Sequence, residues 1–378
     1  MLYLDHAATT VVRPEVREAM APYLDQHYGN PSGVHRVSQR AKNAIEEARE
    51  RAAALLGAAR PLEVVFTGGG TESDNLAVAG VALAPGRRRG VVTTTTEHEA
   101  VLETARFLQR LGCPVAFVGV DRLGRLEPED VGAAITADTS VVSVMAANNE
   151  TGVVHPVARI ARTVRAADPD VLVHTDAVQA FLAEDVTVAD TGADLISLAA
   201  HKLGGPKGVG LLYVRDGVEL EPVLHGGGQE LGRRSGTHNV AGIVGMVAAM
   251  EASVADRPAF RARVGGARDA FEVRLGELIE GIERNAPVSA RLPQHAHVRI
   301  PGVEAETLLI RLDQAGIAAA AGSACQSGAI EMSHVLKAMG MTETEAAGCV
   351  RFSFGWVNQP ADGPRAAEMV ADVVELLR

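Results

Sequence analysis

The sequence predicts an α/β fold, with a large domain built on a mostly parallel sheet and a smaller α+β domain after it. Between about residues 35 and 225, helical patterns alternate with short β-branched runs, and this alternation is typical of βαβ units. The chain of 378 residues also exceeds the usual size of a single domain. Two domains are therefore expected.

Strands of the large domain are predicted where β-branched and apolar residues cluster between turn signals. The runs are EVVFT (63–67), GVVTTTTEH (90–98), PVAFVGV (114–120), SVVSVMAANN (140–149), VLVHTDA (171–177), DLISLAAHK (194–202) and VGLLYV (209–214). Because helical patterns separate them, we expect mostly parallel strands with helices on both faces of the sheet.

The smaller domain is predicted to follow a break in a helical region. Residues 239–283 are expected to form two long helices, because the Asp-Arg-Pro turn signal at residues 256–258 interrupts the helical period. After it come the strands AHVRI (296–300) and CVRFSFG (349–355), and a helix at about residues 305–314. We therefore assign residues 13–256 to the large domain, and residues 257–378 with the N-terminal arm 1–12 to the small domain.

Composition and charge exclude several classes of partner. A net charge of −11 argues against nucleic acid, whose phosphates attract clusters of Lys and Arg. The amino terminus, MLYLDHAATT, has neither the basic start nor the apolar stretch of a signal peptide, and no apolar run of 18 residues occurs. We expect a cytoplasmic protein that binds neither nucleic acid nor membrane.

The three cysteines differ in their surroundings. They form no CxxC pair, so neither a disulfide framework nor a metal site is predicted. Cys113 and Cys349 lie in apolar, strand-like runs, where a free cysteine serves as a small buried hydrophobe. Cys325 lies instead in AAAAGSACQSGAIEMSH (318–334), among Ala, Gly and Ser. These small neighbours favour an exposed loop and a reactive thiol.

Polar residues follow the predicted strands, at the edge of the sheet where α/β proteins bind ligands. The triple glycine 68–70 before a helix that starts at Thr71 is suited to hold a phosphate, although a tight turn alone would also explain it. His98, Asn149 and Asp176 end three further strands. Each of them has a structural alternative, as a satisfied histidine, a turn residue or a helix cap.

Lys202 gives the most specific indication of function. It follows an apolar strand directly and precedes a Gly-Gly-Pro turn. A surface loop lysine is the ordinary alternative, but apolar neighbours on both sides would lower the pKa of the amine and favour Schiff-base chemistry. A lysine, an anion site, a carboxylate and an aromatic ring together meet the needs of pyridoxal 5'-phosphate (PLP). A dinucleotide fits less well, because no G-x-G-x-x-G follows the first strand.

At these residues the chain resembles the group I cysteine desulfurases, fold-type I PLP enzymes of the class V aminotransferase family. The similar blocks are YLDHAATT (3–10), GNPSGVH (29–35), VVFTGGGTESDN (64–75), EHEAV (97–101), VSVMAANNETG (142–152), HTDAVQ (174–179), HKLGGPKGVG (201–210), GRRSGTHN (232–239), GSACQSG (322–328) and VRFSFG (350–355). They run in order along nearly the whole chain. The resemblance therefore implies the same fold, activity and cofactor.

The resemblance also implies a role for each residue that contacts the cofactor ring. Lys202 would form the Schiff base with PLP and move protons, and His98 would stack on the pyridine ring and assist acid and base steps. Asp176 would pair with the ring nitrogen, and Gln179 would hydrogen-bond the phenolic oxygen. Asn149 would contact both cofactor and substrate.

Phosphate and substrate binding follow from the same resemblance. The phosphate would be held by Gly70, Thr71, Ser197 and His201, with Thr237 reaching in from a partner subunit, which implies a homodimer. The carboxylate of the substrate, L-cysteine, would bind Arg351 with Asn149 and Asn30. A guanidinium suits a carboxylate because it can donate two parallel hydrogen bonds, although a structural ion pair is the alternative for Arg351.

Cys325 is implied to be the nucleophile that takes the substrate sulfur as a persulfide, leaving L-alanine. A sulfur acceptor, such as an iron–sulfur scaffold protein, would then receive it. A selenocysteine lyase, another class V aminotransferase and a non-catalytic relay protein are the alternatives. The chain departs from the family pattern at His6, Gly33, His238, Ala320, Ala321 and Gln326.

Overall fold

The structure, a computed structural model, describes residues 1–322 and 332–378. Its strands are β1 (Leu2–Tyr3), β2 (Val64–Thr67), β3 (Gly90–Thr94), β4 (Val115–Val118), β5 (Thr139–Ser143), β6 (Leu172–Asp176), β7 (Leu195–Ala199), β8 (Gly210–Val214), β9 (Glu283–Arg284), β10 (His295–Arg299), β11 (Ile317–Ala318) and β12 (Cys349–Ser353). Its helices are α1 (Pro14–Met20), α2 (Pro22–Asp25), α3 (Arg36–Leu56), α4 (Gly70–Leu83), α5 (Glu99–Arg110), α6 (Pro128–Ala133), α7 (Val157–Ala167), α8 (Val188–Thr191), α9 (Val240–Leu278), α10 (Ala305–Gln314), α11 (His334–Ala338), α12 (Glu343–Ala347) and α13 (Asp362–Leu377).

The main sheet contains all of the strands predicted for the large domain. Its order is β2-β8-β7-β6-β5-β3-β4. Strand β8 is antiparallel to both of its neighbours, and the other strands run parallel to one another. The predicted α/β fold with a mostly parallel sheet is confirmed. The carboxyl ends of the parallel strands meet at one edge, where α/β proteins bind ligands.

Helices cover both faces of this sheet. Side chains of successive strand residues point to opposite faces. Accordingly, Val64 and Phe66 pack into one hydrophobic core with α3 and α9, whereas Val65 packs into a second core with α4 and α5. Because both faces are buried, the strands carry almost continuous apolar runs, and this is why the sequence revealed them.

A second, smaller sheet lies in the carboxyl-terminal part of the chain. Strand β10 pairs antiparallel with β12 and with β9. The N-terminal arm joins this region, because β1 pairs parallel with β11 and Asp5 forms a bridge with Ser353. The predicted helix at residues 305–314 is confirmed as α10.

One prediction about the helices is wrong. Residues 240–278 form the single helix α9, with Pro258 inside it, rather than two helices separated by a turn. A proline inside a helix removes one hydrogen bond and costs about 3 kcal/mol. Burial of Phe260, Val264 and Phe271 against the core of the protein offsets that cost. The boundary between residues 256 and 257 falls inside this helix, and the division into two domains stays a prediction.

Candidate active site

A cavity of about 290 Å³ lies beyond the carboxyl ends of the parallel strands. Nine of the site residues predicted from the sequence line it: Gly70, Thr71, His98, Asn149, Asp176, Gln179, His201, Lys202 and Arg351. They come from the ends of β2, β3, β5, β6, β7 and from β12. The structure therefore brings together residues that are as much as 281 positions apart in the chain, between Gly70 and Arg351.

Lys202 ends a short 3-10 turn, Ala200–Lys202, that follows β7 directly. Its Nζ donates hydrogen bonds to the carbonyl oxygens of Ala7 at 2.5 Å and Ala8 at 2.7 Å. Both carbonyls belong to the N-terminal arm. The sequence predicted the lysine but not these backbone partners, because a carbonyl group gives no signal in a sequence.

Asp176 ends β6 and is buried, with its Oδ1 accepting a hydrogen bond from the N–H of Val178 at 2.8 Å. Burial raises the pKa of Asp176, and the nearby His98 and Lys202 act in the opposite direction. A buried carboxyl group beside the Lys202 amine is suited to pair with a protonated ring nitrogen. Gln179 is held close by, because its side-chain amide donates to the carbonyl of Ala7 at 3.0 Å.

Asp74 is a second buried carboxyl group in the cavity, and the sequence analysis missed it. It is 1% exposed, and its Oδ1 lies 3.6 Å from Nε2 of His174. Burial and the charge of Asp176 raise the pKa of Asp74 well above its usual range. Asp74 follows Gly70 by one helical turn on α4, so the i, i+4 spacing was a signal that could have found it.

His98 is the N-cap of α5, and its Nδ1 accepts a hydrogen bond from the N–H of Ala100 at 3.1 Å. Burial lowers the pKa of His98. The neutral ring therefore carries its proton on Nε2, because Nδ1 is already an acceptor. A neutral imidazole with its N–H on Nε2 is suited to lie on an aromatic cofactor.

The predicted anion site would lie at the first turn of α4. The N–H groups of Gly70 and Thr71, which open this helix, have no partner within it. A Cβ on Gly70 would lie 3.0 Å from Cγ2 of Val178, so any larger residue would have to displace Val178. A second cavity of about 750 Å³ shares Gly70, Thr71 and His201 and adds Lys207. Lys207 is a cation that the sequence analysis did not assign.

Three predicted residues do not line the cavity formed by the described part of the chain. The assignment of Ser197 to the phosphate needs correction, because its fully buried hydroxyl lies 2.9 Å from Nε2 of His174. Ala199 lines the cavity instead, and it lies two residues further toward the end of β7, roughly 7 Å along the strand. Asn30 and Thr237 are both exposed, and their predicted roles depend on a partner subunit.

Arg351 lies in β12 and is 3% exposed. Its Nη2 donates to Oδ1 of Asp5 at 2.7 Å, and its Nη1 donates to the carbonyl oxygen of Asn149 at 2.9 Å. The structural ion pair that the sequence left open is therefore present. The Nε atom has no hydrogen-bond partner among the described residues. The guanidinium thus keeps donor capacity for a carboxylate in the cavity.

The structure describes two of the three cysteines, and both are placed as the sequence predicts. Cys113 and Cys349 are buried, which confirms their structural interpretation. Burial raises the pKa of Cys349 to about 11, so its thiol is inert at neutral pH. Cys325 and Gln326 lie outside the described residues.

Three departures from the family pattern have clear local reasons. His6 is buried, with Nδ1 2.6 Å from Oγ1 of Thr10, and it occupies the space that a Cβ on Gly355 would need. His238 places Nε2 2.7 Å from Oε1 of Glu230, a carboxylate that sequence analysis did not single out. Gly33 also fits its site, because a Cβ there would lie 2.3 Å from Oγ of Ser38.

The donor set of the cavity fits PLP. Lys202 supplies an amine, Asp176 a buried carboxylate, and α4 an anion-binding helix terminus. Among residues 1–322 and 332–378, no three His, Cys, Asp or Glu side chains are grouped to hold a metal ion. In the same ranges, no helix combines the length and apolarity needed to cross a bilayer.

Comparisons with known proteins identify the family of the chain. The family model described as Aminotransferase class-V matches residues 2–362. Cysteine desulfurase IscS of Dictyoglomus turgidum is 41% identical over 378 residues, 100% of this chain and 95% of the relative. The solved structure titled "NIFS-LIKE PROTEIN" superposes with a TM-score of 0.92 and 36% identity over 99% of each chain. The structure titled "SspA in complex with cysteine" has a TM-score of 0.81 and 35% identity over 94% of this chain and 99% of that chain. The chain therefore belongs to the aminotransferase class-V family and, within it, to the cysteine desulfurases.

Proposed function

We propose that this chain removes sulfur from L-cysteine with PLP, releasing L-alanine and leaving a persulfide on Cys325. The observation that carries the proposal is the arrangement of Lys202, Asp176, His98 and Arg351 around one cavity. These side chains supply the amine, the ring-nitrogen partner, the ring-stacking group and the carboxylate-binding group that PLP chemistry on an amino acid needs.

Enzymes of this family depend on PLP, and the cavity offers a group for each part of it. Lys202 would hold the aldehyde carbon, Asp176 the ring nitrogen and Gln179 the phenolic oxygen. Gly70 and Thr71 would hold the phosphate at the start of α4. When bound, the cofactor withdraws electrons from the substrate α-carbon and thereby weakens the bond between Cβ and sulfur.

The protein's own groups orient the substrate and move protons. Arg351 would bind the substrate carboxylate through the donors that remain beside Asp5 and the carbonyl of Asn149. The Lys202 amine, held by two arm carbonyls, would exchange the proton of the substrate α-carbon. His98 would offer its Nε2 proton to the substrate side of the cavity.

The sulfur transfer itself is assigned to Cys325. Its thiolate would give an electron pair to the substrate sulfur, forming the new S–S bond while the Cβ–S bond breaks. The electron pair of the broken bond stays on Cβ, which takes up a proton and becomes the methyl group of L-alanine. A second protein with its own nucleophilic thiol would then receive the sulfur, and an iron–sulfur scaffold protein fits this description.

A homodimer and a cytoplasmic location complete the proposal. Thr237 is exposed on a segment that ends at α9, which supports a contact with a partner's phosphate site. Mixing a Thr237→Ala protein with a Lys202→Ala protein should restore activity, because one site of each mixed dimer then combines an intact Lys202 with an intact Thr237 from the partner subunit, whereas the other site loses both. Persulfide chemistry on an unpaired thiol is compatible with a reducing compartment, which supports the cytoplasm.

Mass spectrometry of the protein after incubation with L-cysteine tests the proposal directly. One additional sulfur should map to the peptide that contains Cys325, and a Cys325→Ser variant should lose both the sulfur and the production of L-alanine. Cys349→Ser is the matched control, because its buried thiol should carry no sulfur. Wild-type alanine production in Cys325→Ser would refute the proposed nucleophile, and faster turnover of selenocysteine than of cysteine would favour a selenocysteine lyase.

A further inference from the structure

Glu97 is a buried carboxyl group to which the proposed reaction gives no role. It lies in the loop after β3, directly before His98, and is fully buried. Its Oε1 accepts hydrogen bonds from Oγ1 of Thr94 and from the N–H of Met145, each at 2.9 Å. Its Oε2 has no partner among the described residues. Buried carboxyl oxygens are normally paired, so the unpaired one requires an explanation.

A protonated carboxyl group explains why only one of the two oxygens is paired. In that form, one oxygen accepts hydrogen bonds as a carbonyl does, and the other carries the proton. Burial raises the pKa of Glu97 to about 8, although the hydrogen bond from the N–H of Met145 opposes the rise. The charge of Asp176 raises this pKa further. Glu97 is therefore a neutral acid at neutral pH, and its Oε1 is the atom that receives both donors.

The backbone of Glu97 contacts another wall of the cavity. Its carbonyl oxygen accepts a hydrogen bond from Nε2 of His334 at 2.9 Å. His334 opens α11 and lines the same cavity as His98. Because a carbonyl oxygen only accepts, a neutral His334 ring carries its proton on Nε2 and keeps a lone pair on Nδ1. The two rings therefore keep different groups for other contacts, an N–H donor on His98 and a lone pair on His334.

Asn148 makes a second cross-link between the loops that follow β3 and β5. Its Nδ2 donates to the carbonyl oxygen of Thr96 at 3.0 Å. Glu97 joins the same two loops in the opposite direction, since its Oε1 accepts from the N–H of Met145. Met145 itself lines the cavity. The segments after β3 and β5 are thus held together by two side chains, one from each segment, beside the proposed active site.

We propose that Glu97 is a positioning residue of the active site, which holds Met145 through its side chain, His334 through its carbonyl oxygen and His98 through its place in the chain. This role rests on the proposed function, in which these residues surround PLP. It assigns no contact between Glu97 and either the cofactor or the substrate. Its consequence is that loss of the acceptor oxygen weakens PLP binding and slows turnover, whereas a neutral side chain of the same shape preserves both.

Three variants and one control separate positioning from a general effect on folding. Glu97→Leu removes the acceptor at a similar volume, and Glu97→Gln keeps an oxygen that can accept from Thr94 and Met145. Thr94→Val removes only one of the two donors and is the milder test if Glu97→Leu does not fold. Thr104→Val is the matched control, because Thr104 is also buried but its hydroxyl donates within α5, to the carbonyl oxygen of Ala100 at 2.7 Å.

Three measurements are made on each variant. An absorbance titration gives the dissociation constant of PLP from the apoprotein, production of L-alanine by the holoenzyme gives kcat and KM, and hydrogen exchange of the apoprotein gives the protection of the Met145 amide. In Glu97→Leu, PLP should bind about tenfold more weakly and kcat should fall about tenfold, because two hydrogen bonds are lost. The KM for L-cysteine should change less than about twofold, because Arg351 is untouched. Exchange should be faster at Met145 and unchanged in α13. Thr94→Val should show smaller changes in the same direction, and Glu97→Gln and Thr104→Val should match wild type.

Wild-type PLP binding and turnover in Glu97→Leu would overturn the inference. Losses in Glu97→Gln as large as those in Glu97→Leu would also overturn it, and so would faster exchange throughout the protein rather than at Met145. The failure of the proposed function looks different, because wild-type protein would then carry no sulfur on Cys325. In that case the hydrogen exchange of the apoprotein still decides the inference. Equal protection of the Met145 amide in wild type and Glu97→Leu would overturn it, and a local loss of protection would support a positioning role for Glu97.

Discussion

Replacing Glu230 with glutamine should lower the melting temperature of the protein by about 4 °C at pH 7. Glu230 is 7% exposed and accepts two hydrogen bonds from Arg49, at 2.6 and 2.8 Å. It also accepts from the N–H of Phe66 at 3.2 Å and contacts His238. Glutamine keeps the shape of the side chain but removes the buried counter-charge of Arg49, which then keeps only the exposed carboxylate of Glu46, 3.4 Å from its Nε.

The size of this effect follows from the pKa of Glu230. Burial alone would raise it, but hydrogen bonds from Arg49 and His238 bring the pKa from 4.5 down to about 2. At about 1.36 kcal/mol per pH unit, this difference corresponds to about 3 kcal/mol of stability. An unfolding entropy of about 2.1 cal/mol/K per residue gives about 0.8 kcal/mol/K for the whole chain, and hence a shift of about 4 °C.

Thermal unfolding followed by circular dichroism, at several pH values, measures the effect. Because the folded-state pKa is lower than the unfolded one, the stabilisation is complete above about pH 4.5 and is lost as the pH falls toward 2. Wild type and Glu230→Gln should therefore converge in acid. The double variant Arg49→Met with Glu230→Leu should lose less than the two single changes together. A change below about 1 °C at pH 7, or fully additive losses, would refute the reasoning.

Three further changes test the site. Gly70→Ala should weaken PLP binding to the apoprotein about tenfold in an absorbance titration, because the added Cβ meets Val178 at 3.0 Å beside the anion site. Arg351→Lys should raise KM for L-cysteine by at least about tenfold with an unchanged cofactor spectrum, because an ammonium group cannot replace two parallel hydrogen bonds. Gly355→Ala should destabilise the protein by about 3 kcal/mol in urea unfolding, since its Cβ would lie 2.1 Å from His6, and a second change of His6 to Ala should restore most of the loss.

The sequence predicted the sheet well because its strands are buried on both faces. Seven apolar runs, such as EVVFT and VGLLYV, all became strands of one sheet. The helix α9 was predicted less well, because Pro258 is a local signal for a break whereas the packing that keeps the helix intact is tertiary. Local propensity favours a turn there, and burial of the helix outweighs it.

The part of the site that lies at the ends of strands could be predicted from the sequence. Lys202 and Asp176 end adjacent parallel strands, so their proximity follows from topology. The sequence gives no comparable signal for how far a residue lies from the end of its strand. Ser197 was therefore assigned to the phosphate although it lies two residues inside the sheet. Asp5 and Glu97 were missed for another reason. Each contacts a partner more than 180 residues away, and a single sequence does not reveal such pairs.

The N-terminal arm explains how two separate sheets build one site. Lys202 follows the main sheet, whereas Arg351 belongs to the small one. The carbonyl groups of residues 7 and 8 accept hydrogen bonds from Lys202, and Asp5 pairs with Arg351. Between these contacts, Oγ of Ser353 accepts from the N–H of Ala7 at 2.8 Å and ties the arm to β12. Because residues 5, 7 and 8 of the arm contact these two side chains, the arm sets the distance between the amine proposed to bind the cofactor and the guanidinium proposed to bind the substrate. Asp5 also occupies part of that guanidinium, so a substrate carboxylate at the proposed position would lie beside an existing ion pair and would rely on the remaining donors of Arg351, its Nε among them.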